Sequence, residues 1–323
     1  MSDLHLADIS GELTSEPIRK GFGRGLLEAG KLDVNVVAAC ADLTDSTQMN
    51  FFRDAFPERF VEIGVAEQNL VTVGAGLAAA GKIPFVSSYA AFSPGRNWEQ
   101  IRTTICLNDR PVKVVGSHAG VSVGPDGATH QMLEDIALMR VLPNMVVIVP
   151  GDSLEAERAT LAMAKDKRPN YLRLARDATP VITTTKTPFE IGKAYVYERG
   201  ADVTIIATGT MTYQALRAAE LLFKDGIEAE VVHVPTIKPL DSETILRSVR
   251  KTNCVVTVEE GQIIGGLGGA IAELLAENHP APLKRIGMQD RFGESGQPAE
   301  LFTHFGLDAA HIRLAAHQVT AKK

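Results

Sequence analysis

From residue 16 to about 165, short apolar, β-branched runs alternate with segments of helical periodicity. The runs are VNVVAACADL (34–43), RFVEIG (59–64), KIPFVSSY (82–89), PVKVVGSH (111–118) and NMVVIVPGD (144–152). Continuous apolar stretches of this length suit strands covered on both faces. Between them EPIRKGFGRGLLEAG, AEQNLVTVGAGLAAAG, NWEQIRTTICLND, MLEDIALMRVL and SLEAERATLAMAKD space their apolar residues as helices do, several with Asn, Asp or Ser near the start. Strand, helix, strand predicts a doubly wound parallel sheet in an α/β fold. The stretch RDATPVITTTKTPFEIG (176–192) breaks the rhythm with two prolines and a threonine cluster, and reads as a connection between domains. Alternation then restarts with ADVTIIATG, TYQALRAAELLFKDG, AEVVHVPTI, DSETILRSVRKT, CVVTVEE and GGLGGAIAELLAEN. Two doubly wound domains are therefore expected, 1–185 and a smaller 186–323.

Composition narrows the class. A chain of 323 residues, 45% apolar and 22% charged, has ordinary globular usage and is not a disordered sequence. Lys and Arg number 33 against 39 Asp and Glu, a net charge of -6, and no long basic run occurs, which argues against nucleic acid as partner. Cys40, Cys106 and Cys254 are scattered without CxxC spacing, so neither a disulfide framework nor a thiolate zinc site is expected and a reducing cytoplasm fits. The start MSDLHLADIS lacks the basic and apolar parts of a leader, and no apolar run reaches the ~18 residues of a membrane span. A soluble cytoplasmic protein without a membrane partner is expected.

In open α/β sheets, ligands gather at the carboxyl ends of the strands. Five places there carry chemistry. Glu67, in EIGVAEQNL, follows one strand and opens a helix that is apolar nearly all round. An acid in a first helical turn is commonly mere dipole placement, yet a buried helix would force this one to be paired or partly protonated. Tyr89 and Phe92 follow another strand, with Gly95 loosening the turn; they are either core residues or flat faces for a heteroaromatic ring. The glycine-rich loop GSHAGVSVGPDGATHQ (116–131) holds His118, Asp126 and His130, whose spacing matches no standard metal motif, so substrate recognition ranks above metal binding. Arg19, and Arg176 closing the strand YLRLAR, would each be weak alone. With Ser46 they supply the bidentate donors and hydroxyl that suit a terminal phosphate.

These blocks, ADLTDS, IGVAEQN, SYAAF with GRNWEQIR, SHAGVSVGPDGATHQ, LMRVLPNMVVIVP and SGQPAELFTHFGL, in this order, resemble the carboxyl-terminal half of a transketolase over nearly the whole chain. The resemblance implies a thiamine-diphosphate pyrimidine-binding domain followed by a transketolase carboxyl-terminal domain. It implies that Glu67 bonds the cofactor's aminopyrimidine and drives its imino tautomer, so that the ring can deprotonate the thiazolium carbon. Tyr89 and Phe92 would lie against the pyrimidine, with Asp42, Leu43 and Val65 lining the pocket. Arg19, Ser46, His118 and Arg176 would take the sugar phosphate, Asp126 and His130 the donor hydroxyls, with His118 and His130 also counted as catalytic. Histidine at 118, where deoxyxylulose-phosphate synthases are expected to carry arginine, favours transketolase proper.

The family's magnesium motif, GDG followed by an asparagine, is missing, and the short lead before Arg19 leaves no room for a diphosphate domain upstream. The expectation is a split enzyme: a separate amino-terminal transketolase subunit holds Mg2+ (or Ca2+) and the diphosphate, two copies of each chain form a heterotetramer, and the helix at 67–81 is buried partly against another subunit. Sugar phosphates and the pentose phosphate pathway are the default substrate and setting. The alternatives are the β subunit of a 2-oxo acid dehydrogenase, a deoxyxylulose-phosphate-synthase-like enzyme, and a non-catalytic half that binds a partner or a nucleotide at GGLGGA (265–270).

Overall fold

The structure is a computed structural model that describes residues 4–323. Among the described residues, fourteen strands occupy three sheets: β1 (Ser15–Pro17), β2 (Val36–Cys40), β3 (Phe60–Glu62), β4 (Ile83–Tyr89), β5 (Lys113–Ser117), β6 (Val146–Ile148), β7 (Asn170–Arg173), β8 (Ala178–Pro180), β9 (Tyr195–Glu198), β10 (Val203–Ala207), β11 (Ala229–His233), β12 (Thr236–Lys238), β13 (Val255–Gln262) and β14 (Leu283–Met288). The seven-stranded sheet runs β12-β6-β7-β5-β4-β2-β3 and the five-stranded one β14-β13-β10-β11-β9. Pairing in both is parallel except at β12 and β9. The apolar runs form these strands because helices cover both faces: β2, β5 and β10 are buried at every position. Local helix signals also operate, with Asp152, Asp241 and Asp308 each accepting from the backbone amide three residues on.

The chain is woven more tightly than two consecutive units. Within the stretch AEVVHVPTI, β11 stays in the second sheet but β12 crosses over and pairs with β6, Thr236 opposite Ile148. One apolar cluster contains Val86, Val114 and Ile136 together with Ile206, Val232 and Ile271, so the cores are continuous. Leu4, Leu6, Ile9 and Leu13, from the start of the chain, pack on the core of the second unit. The connection at 176–192 includes β8, which pairs antiparallel with β1, and Asp152 accepts from the amides of Ile182 and Thr183.

One helix is only half enclosed by this chain, and two local expectations are corrected. The helix Glu67–Ala79 buries only one face within this chain, through Glu67, Leu70, Val71, Gly74, Ala75 and Ala78, while Gln68, Asn69, Gly76 and Ala79 face outward. Small side chains make its sequence apolar all round without making it enclosed. Gly95 is required by close approach, since a Cβ there would meet the Ala91 carbonyl oxygen at 2.2 Å. Arg176 lies three residues beyond the end of β7 and does not close it.

Candidate active site

Beyond the carboxyl ends of β2, β4 and β5, side chains touch in an unbroken line from Arg19 to Glu67. Arg19, in the first turn of the helix Ile18–Leu32, donates from Nη1 to the Ser46 carbonyl at 3.0 Å and to His118 Nε2 at 2.8 Å. A guanidinium only donates, so Nε2 accepts, and the imidazole is neutral with its proton on Nδ1, 2.9 Å from the Ser117 hydroxyl. Burial, assisted by Arg19, Arg176 and His130, pushes the His118 pKa down to about 3. The His118 ring lies flat on Tyr89, centroids 3.8 Å apart. Tyr89 and Phe92 are nearly parallel at 6.1 Å. The Arg96 guanidinium sits over Phe92 at 4.9 Å, and its Nη1 donates to Glu67 Oε2 at 2.7 Å.

Glu67 opens its helix with 2% exposure. The counter-charge its burial demands is Arg96, the one side chain among the described residues that donates to the carboxylate. Asn97 fixes the same turn, donating from Nδ2 to the Glu67 carbonyl at 2.8 Å and to Ser93 Oγ at 3.1 Å. His130 presents its ring edge-on to Phe92 at 5.5 Å and bonds Thr129 Oγ1 through Nδ1 at 2.9 Å. Arg176 donates to the Val123 carbonyl at 2.5 Å and lies 3.9 Å from Asp126. Burial lowers the pKa of Arg19 and of His118, and the positive charge of Arg176 adds to both shifts.

Arg19, Ser46, Tyr89, Phe92, His118, His130 and Glu67 thus meet in one place, with Arg176 and Asp126 at its margin. Ser46 meets Arg19 through its carbonyl, not its hydroxyl. Asp42 and Leu43 instead line an open groove beside Glu62, which accepts from the Asp42 amide at 2.7 Å and the Thr44 hydroxyl at 2.7 Å. Val65 is 72% exposed, so this chain encloses it in no pocket. The glycine run at 265–270 is already filled: the amides of Leu267 and Gly268 each donate to Glu259 at 2.8 Å. Burial raises that carboxyl to about 7. It caps the helix Leu267–Asn278 and leaves these amides no room for a nucleotide phosphate.

One residue joined to this line of contacts escaped the sequence reading. Arg96 stands in the quoted block GRNWEQIR, four residues after Phe92, and the need of Glu67 for a partner was the signal.

The buried neutral His118 has a consequence for stability. Between pH 6.5 and 3 the unfolded chain binds a proton at this residue that the folded chain refuses. Stability is therefore complete above pH 6.5 and falls as the pH drops, by about 3 kcal/mol at pH 4.5 from this group. Urea unfolding of wild type and His118→Asn across that window should show a shallower slope in the variant; equal slopes would refute the assignment.

The sequence matches two family models, the transketolase pyrimidine binding domain over residues 16–181 and the transketolase C-terminal domain over 192–312. The chain belongs to the transketolase family. Similar proteins follow this transketolase chain almost end to end. One from Methanocaldococcus jannaschii, carrying the provisional name transketolase C-terminal section, is 49% identical across 91% of this chain and 93% of its own length. A 6-deoxy-6-sulfo-D-fructose transketolase subunit of a Clostridium species is 44% identical, covering 92% of each. A solved structure described as a split gene transketolase, inactive β4 tetramer, superposes with TM-score 0.89 at 44% identity, covering 94% of this chain and 98% of that one. This transketolase chain therefore corresponds to the carboxyl-terminal subunit of a split enzyme. Among the described residues, no group of three or more His, Cys, Asp or Glu is placed to hold a metal ion, and no helix is long and apolar enough to cross a membrane.

Proposed function

We propose that this subunit, with a separate diphosphate-binding chain, transfers a two-carbon ketol unit from a ketose phosphate to an aldose phosphate. The observation that carries the reading is the line of contacts joining a paired arginine and neutral histidine to a buried glutamate through two aromatic rings. These residues fit the pyrimidine half of thiamine diphosphate: a buried carboxylate at a helix start stands beside near-parallel Tyr89 and Phe92 faces. Bound there, the cofactor supplies the nucleophilic carbon that carries the ketol unit.

The chain's own residues do the rest. Glu67 offers a carboxyl oxygen to share a proton with a ring nitrogen; Arg96 holds Oε2 at 2.7 Å and leaves Oε1 for that contact. Arg19 and Arg176 provide donors for a dianion. His118, kept neutral, meets the substrate without adding a third charge. Asp126 and His130 face sugar hydroxyls. Asp42, Leu43 and Val65 complete the pocket only when the second chain covers them. That chain also brings Mg2+ or Ca2+ and its diphosphate ligands. The outward face of the helix Glu67–Ala79, with Gly76 and Ala79 exposed and Val65 next to it, supports burial against another subunit in an assembly of two copies of each chain. The solved relative described as an inactive β4 tetramer supports the need for a second kind of chain. We assign the domain division to residues 185–186 and the protein to the cytoplasm.

The test is an assay of the reconstituted pair on xylulose 5-phosphate with ribose 5-phosphate, and separately on 6-deoxy-6-sulfofructose, given the name of the clostridial relative. Sedoheptulose 7-phosphate is the expected product of the first mixture. Turnover of pyruvate with no ketol transfer from either donor would replace this reading with the 2-oxo acid dehydrogenase one. Within the same assay Arg176→Ala should raise KM for phosphorylated donors by roughly tenfold or more, the worth of a charge-assisted bond, and spare donors that lack a terminal anionic group. Equal losses on both would remove Arg176 from the anion site.

A further inference from the structure

The second unit contributes none of the candidate site residues, yet one of its side chains reaches into the loop that carries three of them. Glu260 lies near the end of β13 and is 2% exposed. Its Oε1 accepts from the Ser122 amide at 2.7 Å and its Oε2 from the Thr210 hydroxyl at 2.7 Å. Its own carbonyl accepts from Arg173 Nη2 at 2.6 Å. The loop turns around this carboxylate: Gly120 has φ +89°, and a Cβ there would lie 2.3 Å from Oε1. His118, two residues earlier, is held at φ +57°. At the far end, Gln131 Nε2 donates to the Val121 carbonyl at 3.1 Å and to the Glu294 carbonyl, again from the second unit, at 2.9 Å.

We propose that Glu260 is a positioning residue for ketol transfer, setting the loop 118–130 so that His118, Asp126 and His130 face the sugar. The proposal rests on the function just given and deepens it: the second unit acts on the substrate through the shape of this loop. A buried amide that donates to an ionic acceptor loses roughly 1.5–3 kcal/mol when that acceptor is removed, which corresponds to about 10–100-fold. The contact touches the substrate loop and not Glu67, Tyr89 or Phe92, so the loss falls on sugar binding and spares the cofactor.

In the reconstituted pair, Glu260→Ala should raise KM for the ketose phosphate about 10–100-fold, leave the cofactor dissociation constant unchanged, and speed hydrogen exchange of the 118–130 amides. Glu260→Gln keeps an acceptor for the Ser122 amide and an amide for the Thr210 hydroxyl, so it should restore both KM and slow exchange. Unchanged exchange in Glu260→Ala overturns the proposal, as does a fall in cofactor affinity parallel to KM, or a Gln variant as impaired as the Ala one. Should Glu260→Ala fail to fold, Thr210→Val removes one donor and is read the same way, with faster loop exchange expected and unchanged exchange overturning the idea. The exchange measurement needs only this chain. A pair without any ketol transfer therefore refutes the proposed function, and the exchange result still decides the fate of the clamp.

Discussion

Glu67→Ala is expected to lower kcat of the assembled enzyme by about 10²–10⁴-fold, the range over which positioned proton-transfer groups act, while leaving folding and assembly intact. The second half of that expectation follows from the partner. Removing one member of a buried ion pair is usually damaging because it strands a charge. Here the stranded charge would be Arg96, whose side chain is 51% exposed and can turn to water. The helix start is held independently by Asn97, which bonds the Glu67 backbone carbonyl and not its carboxylate. Single-turnover kinetics together with sedimentation of the pair separate the two effects. Near-normal turnover would remove Glu67 from the chemistry, and loss of assembly would make it structural. Arg96→Gln is a useful companion, since it frees the carboxylate without deleting it.

The largest expected loss of stability lies elsewhere. Asp135 is fully buried, accepts from Arg173 Nε at 2.9 Å and 3.2 Å, and takes the Tyr171 hydroxyl at 2.8 Å. Arg173 is itself 4% exposed, so Asp135→Ala leaves a guanidinium that cannot reach water. The cost should be about 3–5 kcal/mol, read from the denaturant midpoint of the isolated chain. Tyr171→Phe, which deletes only one neutral donor, should cost about 1 kcal/mol. The contrast matters more than either value: equal effects would mean that packing and not the uncompensated charge sets the penalty. Arg173 also bonds the Glu260 carbonyl, so Asp135→Ala should loosen the substrate loop as well.

The sequence made one level of this structure readable and concealed another. Alternating apolar runs located most of the sheet strands because local periodicity is dictated by which face is covered. Glu67 was found at the first position of its helix for the same reason: the change from strand to helix is written in consecutive residues. Contacts between distant segments leave no such trace. Glu260 and Ser122 are 138 positions apart, and nothing about either neighbourhood announces the other. The crossing of β12 was hidden because VPTI reads as a continuation of the strand before it. The exposed side of the helix Glu67–Ala79 carries Gly76 and Ala79, which count as apolar in a pattern while burying little surface, so the pattern alone does not say whether this chain or another covers it.

The crossing strand also limits how the chain can be divided. A fragment ending near residue 185 would lack Thr236–Lys238 and leave Val147 and Ile148 with a bare hydrogen-bonding margin, the kind of edge that recruits strands from other molecules. In gene fusion and fission the two sheets must therefore travel as one module, even though the residues proposed for chemistry all belong to the first.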